Sequence, residues 1–382
     1  MSIYETDRAL TAVEKRIKEG KYCKDNKKLF FKFENYLFAN GLSNVRVLKY
    51  LSHLNVIAGW TDTKFSSMEL EDIQSIVARI ERSDWAEWTK HDYKLAVKRF
   101  FTWLGMEDKI KWIKTSMKKN SSKLPEELLS EAEIKQMIEA AEHPRDKAII
   151  AVLYDTGARI GEMGSLKLKH VVFDQYGAIL IVSGKTGMRR VRIIFSVPYL
   201  AAWLDIHSHK DNPDAHLWIM IRGRKSGQQL QYAAFRKLIK TVAKKAGIKK
   251  RVYNHLFRHS RSTELAQHLT ESQLEEHLGW VPGSEMPRIY VHLSGKQIDD
   301  ALLRIYGIKK EESMIPELTS KKCPRCEKVN GPTSKFCSRC GMAMDFDSLK
   351  KVQEYEQGLP KIWKLFLKSD EAIEALENAN TN

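Results

Sequence analysis

The apolar residues of this chain recur at helical spacing almost throughout, and the pattern changes to strand alternation between residues 178 and 195. There the segments GAILIV and VRIIF flank the turn-like SGKTGMRR, which predicts a β-hairpin. Capping-box patterns at Ser130 and Thr270 mark the starts of further helices. The sequence therefore predicts a mainly α-helical protein with a small antiparallel β-sheet, of the α+β class.

Two polar, charged stretches divide the chain. The first is KKNSSKLPEELL, which contains Pro125, and the second is KKEESMIPELTSKK. They predict a helical domain at 1–117, a linker at 118–129, a second domain at 130–310, a cysteine-rich module at 321–344 and a helical tail at 345–382. Because a charged connector precedes the cysteine-rich module, we expect the module to fold separately from the second domain.

The charge balance favours an acidic polymer as the partner. The 382 residues include 64 lysines and arginines against 48 acidic residues, a formal net charge of +16, and nucleic acid is the first partner to expect. Lys94, Lys98 and Arg99 lie between the apolar positions of one predicted helix. We predict that they contact DNA phosphates; the alternative is an ordinary solvated helix face.

The sequence pattern shows neither a secretory signal nor a membrane-spanning segment. No apolar run follows the charged N-terminal residues, and the longest apolar run, AIIAVLY, is far too short to span a membrane. Five cysteines, four of them clustered, argue for a reducing compartment rather than a disulfide framework. We expect a cytoplasmic protein that makes no membrane contact.

The cysteine cluster predicts a metal site. Cys323, Cys326, Cys337 and Cys340 form two C-x2-C pairs with ten residues between them. Tetrahedral zinc accepts four thiolates from two such turns, and the set leaves no open coordination position. The sequence resembles a zinc ribbon and predicts one structural zinc; the alternative, two disulfides, needs an oxidising compartment. Cys23 is expected to be an ordinary apolar residue.

A second set of residues supplies the groups that phosphodiester transesterification needs. Two arginines can grip the phosphate, and a tyrosine can attack it if a base or cations assist. A lysine can protonate the leaving 5′-oxygen, and a ring N–H can stabilise charge. The chain offers these groups in the order Arg159, Lys185, His255, Arg258, Trp280, Tyr290. Each residue alone means little, and the information lies in the ordered set and in its local contexts.

Those contexts, TGARIGEM, VSGKTGMRRVRI, HLFRHS, HLGW and IYVHLS, resemble the tyrosine recombinases over about residues 20–310. This is the phage-integrase family, which includes Xer-type recombinases and the Cre and lambda integrases. The resemblance implies the following roles: Arg159 as the first arginine, Glu162 as its supporting acid, Lys185 as the hairpin lysine, His255 and Arg258 as the H-x-x-R pair, and Tyr290 as the nucleophile. Tyr253 and Tyr306 are rival tyrosines without the family context.

One position departs from the usual pattern. Trp280 stands where many members have histidine, and an indole has a single donor and cannot act as a base. The acid–base roles therefore move to His255 and Lys185, and His277 is a weaker candidate for the same position.

The resemblance implies a core-binding domain at 1–117 and a catalytic domain at 130–310 that clamp DNA. It further implies cleavage and rejoining through a 3′-phosphotyrosyl intermediate without a catalytic cofactor, by a tetramer on inverted-repeat sites. We favour integration or excision of a mobile element, and Xer-like dimer resolution is the alternative within the class. A non-catalytic DNA-binding protein and a type IB topoisomerase are alternatives from other classes. For the ribbon and the tail the sequence leaves three roles open: contact with DNA, contact with another protomer, or docking of a partner.

Overall fold

The computed structural model describes residues 3–116, 127–184, 186–291 and 316–355, together with residues 303, 306 and 308. The chain divides into two compact units, residues 2–121 and residues 122–382. The predicted α+β class is confirmed, with helices predominating and a small antiparallel sheet in the second unit.

The described part of the first unit is helical. Its helices are α1 (Thr6–Glu19), α2 (Lys24–Ala39), α3 (Asn44–Ala58), α4 (Leu70–Glu81) and α5 (Glu87–Trp103). The core contains a cluster of fully buried phenylalanines, Phe30, Phe33, Phe65 and Phe100. Their ring centroids lie 5.1 to 5.7 Å apart, within the range of favourable aromatic pairs. Phe30 and Phe33 of α2 therefore serve packing and are not exposed to stack on bases.

The helices of the second unit surround one central helix. They are α6 (Glu131–Ala140), α7 (Pro144–Thr156), α8 (Ile160–Gly164), α9 (Val197–Asp205), α10 (Tyr232–Lys245), α11 (Asn254–Leu265), α12 (Glu271–Leu278) and α13 (Met286–Val291). Every residue of α7 from Ala148 to Thr156 is buried, and α6, α9 and α11 pack against it. Helix α7 starts at Pro144, which suits a first helical position, and ends at Gly157 in the left-handed conformation (φ 56°).

The predicted hairpin forms two strands of a three-stranded antiparallel sheet. Strands β1 (Val171–Asp174), β2 (Gly177–Gly184) and β3 (Gly187–Ile193) lie in the order β1-β2-β3. Gly184 pairs with Gly187 at the end of the hairpin. Lys185, which we predicted at this turn, lies outside the described residues. The sequence missed β1, a short strand without a buried face.

The cysteine-rich module is a small hairpin of β4 (Lys321–Lys322) and β5 (Val329–Asn330), and residues 346–355 after it are helical. Separate folding of this module stays a prediction, but the module is in contact with α9 of the second unit. The hydroxyl of Tyr199 on α9 lies 2.7 Å from Oγ1 of Thr333 and accepts a hydrogen bond from the Thr333 N–H at 3.1 Å. A Cβ at Gly331 would lie 2.5 Å from the Tyr199 ring, so this approach requires glycine. The module therefore packs on the helices of the second unit.

The spacing of Ile298, Ala301, Leu302 and Ile305 predicts a further helix with an apolar face. These four residues and most of the predicted tail, residues 356–382, lie outside the described residues. Tyr306 is described and is 76% exposed. Among the described residues, none of the helices combines the length and apolar character needed to cross a bilayer.

Candidate active site and metal centre

Arg159 and Glu162 are joined at the corner between α7 and α8. After the left-handed Gly157, Arg159 is extended (φ −66°, ψ 141°) and caps α8. The carboxylate of Glu162 accepts hydrogen bonds from the Arg159 N–H at 3.1 Å and from its Nη1 at 2.9 Å. The two residues that the resemblance pairs are thus in contact, through helix-capping geometry.

Arg189 on β3 is a second partner of Glu162 that sequence reasoning missed. Its Nη2 donates to Oε2 of Glu162 at 2.8 Å, and its Nε donates to the carbonyl of His277 at 2.9 Å. Burial raises the pKa of Glu162, but the hydrogen bonds and charges of Arg189 and Arg159 outweigh it and leave the pKa lowered. Glu162 is therefore a buried carboxylate that stays ionised between two guanidinium groups.

Glycine is required at position 279 for this arrangement. Gly279 ends α12 in the left-handed conformation (φ 64°), and a Cβ there would lie 2.5 Å from Nη1 of Arg189. Its carbonyl accepts from Nη1 and Nη2 of Arg159, both at 3.2 Å, and from Oγ1 of Thr186 at 3.1 Å. The end of α12 thus fixes the orientation of the first arginine.

Arg258 on α11 is only 2% exposed and is fixed in the same way. Its Nη1 donates to the carbonyl of Gly157 at 3.1 Å, and its Nη2 donates to the carbonyl of Leu278 at 2.7 Å. Burial and the positive charge of Arg159 lower the pKa of Arg258 to about 10, so the group remains charged at neutral pH. Its guanidinium lies 5.4 Å from the centroid of the Trp280 ring.

Tyr290 on α13 belongs to the same buried cluster as Trp280 and is 2% exposed. Its ring stacks on Trp280 with centroids 5.4 Å apart and an angle of 10° between the planes. Its hydroxyl lies 2.7 Å from Nδ1 of His259. Burial raises the pKa of Tyr290 to about 12, although the charge of Arg258 acts to lower it. Tyr290 is thus neutral at physiological pH and needs a proton acceptor to react.

His259 is the second functional candidate that sequence reasoning missed. It stands four residues after His255, so both project from one face of α11. Their rings meet edge to face, with centroids 4.6 Å apart and an interplanar angle of 86°. His255 is exposed, and the ring that it contacts belongs to His259, whose Nδ1 lies beside the Tyr290 hydroxyl. The i, i+4 spacing in HLFRHS is the signal that could have found His259.

The glycine and threonine on either side of Lys185 border this site. Gly184 has no side chain, and a Cβ there would overlap the carboxylate of Glu162. Thr186 donates to the same Gly279 carbonyl that holds Arg159. The role of Lys185 itself stays a prediction, because this residue lies outside the described part of the chain.

The remaining candidates lie in other surroundings. Burial and the charge of Arg261 lower the pKa of His277 to about 4, so its ring is neutral at pH 7, and among the described residues its Nε2 has no hydrogen-bond partner. Tyr253 precedes the first residue of α11, with the Arg251 guanidinium 5.9 Å from its ring. Tyr306 is largely exposed. Of the three tyrosines, Tyr290 is the one that stacks on Trp280 and is influenced by the charge of the buried Arg258.

The three basic residues of α5 have partners within their own unit. Nζ of Lys94 lies 2.7 Å from Oε1 of Glu81, and Nζ of Lys98 donates to the carbonyl of Ile113 at 3.3 Å. The guanidinium of Arg99 lies 5.8 Å from the centroid of the Tyr36 ring. Their proposed contact with DNA phosphates stays a prediction.

The four clustered cysteines are arranged as a metal-binding set. Their sulfur atoms all lie within 4.8 Å of one another. Cys323 and Cys340 are 3.6 Å apart and Cys326 and Cys337 are 3.5 Å apart, too far for disulfide bonds of about 2.05 Å. Two N–H donors, Nδ2 of the buried Asn330 and the backbone of Arg339, point at Cys337 Sγ from 3.6 and 3.4 Å. Donors of this kind favour thiolates, so the set could bind a metal ion. Cys23 lies apart, in the first unit.

Residues 127–297, which include every candidate catalytic residue, match the phage integrase family. This match covers slightly less than half of the chain and shows a similarity to the tyrosine recombinases. The tyrosine recombinase XerA of Pyrococcus horikoshii is 24% identical over 282 residues, which cover 72% of this chain and 93% of that protein. The tyrosine recombinase XerD of Yersinia pestis is 25% identical over 273 residues, which cover 67% of this chain and 89% of that protein.

Solved structures of tyrosine recombinases share the fold. The XerH site-specific recombinase bound to a palindromic difH substrate matches with a TM-score of 0.55 and 18% identity, covering 80% of this chain and all of that chain. The Tn1549 transposon integrase in complex with transposon right-end DNA matches with a TM-score of 0.56 and 15% identity, covering 73% of this chain and 98% of that chain. The match of residues 127–297 to the phage integrase family supports a role in site-specific recombination.

Proposed function

We propose that this protein is a tyrosine recombinase that cuts and rejoins duplex DNA through a 3′-phosphotyrosyl bond to Tyr290. The observation that carries the proposal is the placement of the Tyr290 hydroxyl, which meets His259 at 2.7 Å beside the buried Arg258 and the stacked Trp280. A candidate nucleophile, a candidate proton acceptor and a fixed cation thus lie close together. This is the combination that phosphoryl transfer requires.

Arg159 and Arg258 are proposed to bind the scissile phosphate. Each guanidinium has five N–H donors, and in each case both Nη atoms donate to backbone carbonyls that hold the group in place. Donors that remain are available for phosphate oxygens, and the preset orientation lowers the cost of binding the transition state. Glu162 supports this pair by balancing the charges of Arg159 and Arg189.

Tyr290 is proposed to attack the phosphorus atom while its proton passes to Nδ1 of His259. With a pKa of about 12 the phenol is protonated at neutral pH, so removal of the proton is part of the reaction. The new O–P bond to Tyr290 forms as the bond to the 5′-oxygen breaks, and Lys185 is proposed to protonate the leaving oxygen. Attack by a 5′-hydroxyl on the phosphotyrosine reverses the step and rejoins the strand. His255, in contact with the ring of His259, is proposed to orient this acceptor.

The ribbon is proposed to hold one structural zinc through its four cysteines. A site whose ligands are all protein thiolates has no position for water or substrate, so the metal stabilises the ribbon and takes no part in cleavage. The sulfur positions and the N–H donors of Asn330 and Arg339 support this assignment. Zinc content measured on protein purified under reducing conditions tests it, with about one ion per chain expected.

The proposed partner is duplex DNA with inverted-repeat sites, on which the protein assembles as a tetramer. We favour integration or excision of a mobile element, because the ribbon and tail extend the chain beyond the region that matches the family. The competing role is dimer resolution, which the similarity to Xer recombinases favours. A pair of sites bounding a mobile element supports the first role, and a single chromosomal site supports the second.

The test is footprinting and cleavage mapping on DNA that flanks the encoding gene, followed by trapping on a nicked suicide substrate. The cleaved fragment diffuses away, so the covalent complex accumulates and can be resolved on a denaturing gel. We expect an adduct that peptide mapping assigns to Tyr290. Absence of any adduct on a verified target would favour a non-catalytic DNA-binding protein. Relaxation of supercoiled DNA without sequence preference would favour a topoisomerase.

A further inference from the structure

The ribbon carries a strong positive charge for its size. Residues 321–344 contain six cations against one carboxylate, Glu327; the cations are Lys321, Lys322, Arg325, Lys328, Lys335 and Arg339. A zinc ion with four thiolates contributes two net negative charges, so the metal-bound module keeps a net charge of about +3. A basic module of this size favours a polyanion over a neutral or basic protein surface.

Two of these cations occupy equivalent positions in the two metal-binding turns. Arg325 in C-P-R-C and Arg339 in C-S-R-C each stand directly before the second cysteine, and both are exposed. The backbone N–H of Arg339 donates to Cys337 Sγ, so the metal site fixes the main chain from which the side chain projects. Among the described residues neither arginine has an ion-pair partner, whereas Lys322 lies 3.4 Å from Glu327.

The ribbon is held in a set position on the helices of its own unit. The hydroxyl of Tyr199 contacts both the side chain and the backbone of Thr333, and Gly331 lies against the same ring. On the approach to the ribbon, Leu318 is buried and its N–H donates to Glu131 of α6 at 3.4 Å. A cationic surface that is already positioned loses little conformational entropy when it binds.

We propose that the ribbon is a DNA-contact surface, in which Arg325 and Arg339 bind phosphates of the duplex on which the catalytic residues act. The proposal rests on the proposed function only in requiring that the protein binds DNA. Planar guanidinium groups suit bidentate contact with phosphate oxygens, and such contacts position a protein on DNA without reading its sequence. The ribbon would therefore lengthen the bound segment and add affinity on any sequence.

The experiment compares the full-length, zinc-loaded protein with the variant Arg325→Gln/Arg339→Gln. Affinity is measured by fluorescence anisotropy on fluorescein-labelled duplexes of increasing length, over a range of salt concentrations. Each lost phosphate contact lowers the slope of log K against log salt by about 0.9, so we expect the slope to fall by about two. Affinity at low salt should fall on the order of tenfold for long duplexes, and less for duplexes too short to reach the ribbon. Zinc content must equal that of the wild type.

Two control variants separate local contact from general charge. Arg325→Lys/Arg339→Lys retains both charges and should keep most of the salt dependence. Lys350→Gln/Lys351→Gln removes two exposed charges just beyond the ribbon and should change the slope less. An unchanged slope in the zinc-loaded glutamine variant would overturn the proposal and direct attention to a protein partner. An equal fall in the salt slope in Arg325→Gln/Arg339→Gln and in Lys350→Gln/Lys351→Gln would also overturn the proposal, because it would show only an effect of net charge. Failure of the wild type to bind any duplex would instead refute the proposed function.

Discussion

The hydroxyl of Tyr290 lies 2.7 Å from Nδ1 of His259, the residue that follows Arg258 directly on α11. One helix therefore supplies both the buried Arg258 and the histidine that contacts the candidate nucleophile. Tyr290 is 2% exposed and its ring is stacked on Trp280, so its hydroxyl is covered in this structure. The structure thus combines two arginines held by backbone carbonyls with a covered candidate nucleophile.

His259 should be needed for cleavage and not for DNA binding. A proton acceptor in the transition state contributes about 10²- to 10⁴-fold to the rate. We expect His259→Ala to lose strand cleavage by a factor of that order, measured as single-turnover adduct formation on a nicked substrate. Affinity for the same DNA should be unchanged, because many other cations bind phosphates.

The variant His259→Asn separates proton transfer from positioning. An asparagine amide occupies the place of Nδ1 and can hydrogen-bond the Tyr290 hydroxyl, but it cannot accept the proton. If His259 is the acceptor, the asparagine variant should be as impaired as the alanine variant. Recovery of activity by asparagine would reduce His259 to a positioning role. If His259→Asn cleaves normally while His255→Asn does not, the acceptor is the residue that the sequence predicted.

Glu162 should stabilise the fold in a pH-dependent way. Its folded-state pKa is lowered below the ordinary value of about 4.3, so its stabilisation is present at neutral pH and is lost as the pH falls through the folded pKa. We expect Glu162→Gln to lower the free energy of unfolding by about 3 kcal/mol at pH 7, because Arg159 and Arg189 lose a buried partner. In urea titrations the difference from wild type should shrink below about pH 4.

The matched control is Glu276→Gln, which neutralises an exposed carboxylate on α12. This change should be close to neutral at both pH values, since surface charges contribute little. If Glu162→Gln lowers the free energy of unfolding by the same amount at pH 7 and at pH 3, the loss comes from altered packing and not from the lost charge.

The sequence predicted those parts of the site that lie in short local patterns. Arg159, Arg258, Trp280 and Tyr290 each stand in a recognisable context, and the structure brings them together. The pairing of Arg159 with Glu162 was also predictable, because three-residue spacing brings side chains together in a helix as well as in a helix cap. Chain order and local spacing therefore determined most of this assignment.

The missed residues depend on information that local spacing does not contain. Arg189 and Arg190 are adjacent, and only the strand register decides which of them turns towards Glu162. His259 required knowing that α13 folds back onto α11. The contact between Tyr199 and Thr333 joins residues 134 positions apart, and no periodicity predicts it. The charged connector before the ribbon predicted a domain boundary, but it contained no information about the contact between the ribbon and α9.

The docked ribbon should couple zinc binding to the stability of the catalytic helices. Tyr199→Phe removes the hydroxyl that bonds Thr333 and keeps the ring that packs beside Gly331. In zinc-loaded protein we expect this change to cost about 1 kcal/mol of unfolding free energy. After chelation it should cost close to nothing, because a ribbon without metal loses its fold and Thr333 leaves the tyrosine.

The control is Tyr154→Phe, which removes another buried hydroxyl, bonded to Oε2 of Glu264 at 2.9 Å and far in sequence from the ribbon. The loss of unfolding free energy caused by Tyr154→Phe should be the same with and without zinc. Both variants are compared by urea unfolding before and after chelation. Equal costs of Tyr199→Phe in the two states would show that the ribbon stays docked without metal. In that case the four cysteines would not be needed to hold its fold.

Tyr290 should be the only one of the two C-terminal candidate tyrosines that forms the covalent bond with DNA. Tyr290→Phe keeps the ring stacked on Trp280 and removes only the hydroxyl that meets His259, so this variant should fold and bind the same DNA. It should form no adduct on a nicked suicide substrate, because the oxygen that attacks phosphorus is absent. Tyr306→Phe alters a side chain that is 76% exposed and should still form the adduct. An adduct that persists in Tyr290→Phe would show that another tyrosine is the nucleophile. Loss of the adduct in Tyr306→Phe at unchanged DNA affinity would show the same. Either result would mean that the site assigned to α11 and α13 is wrong.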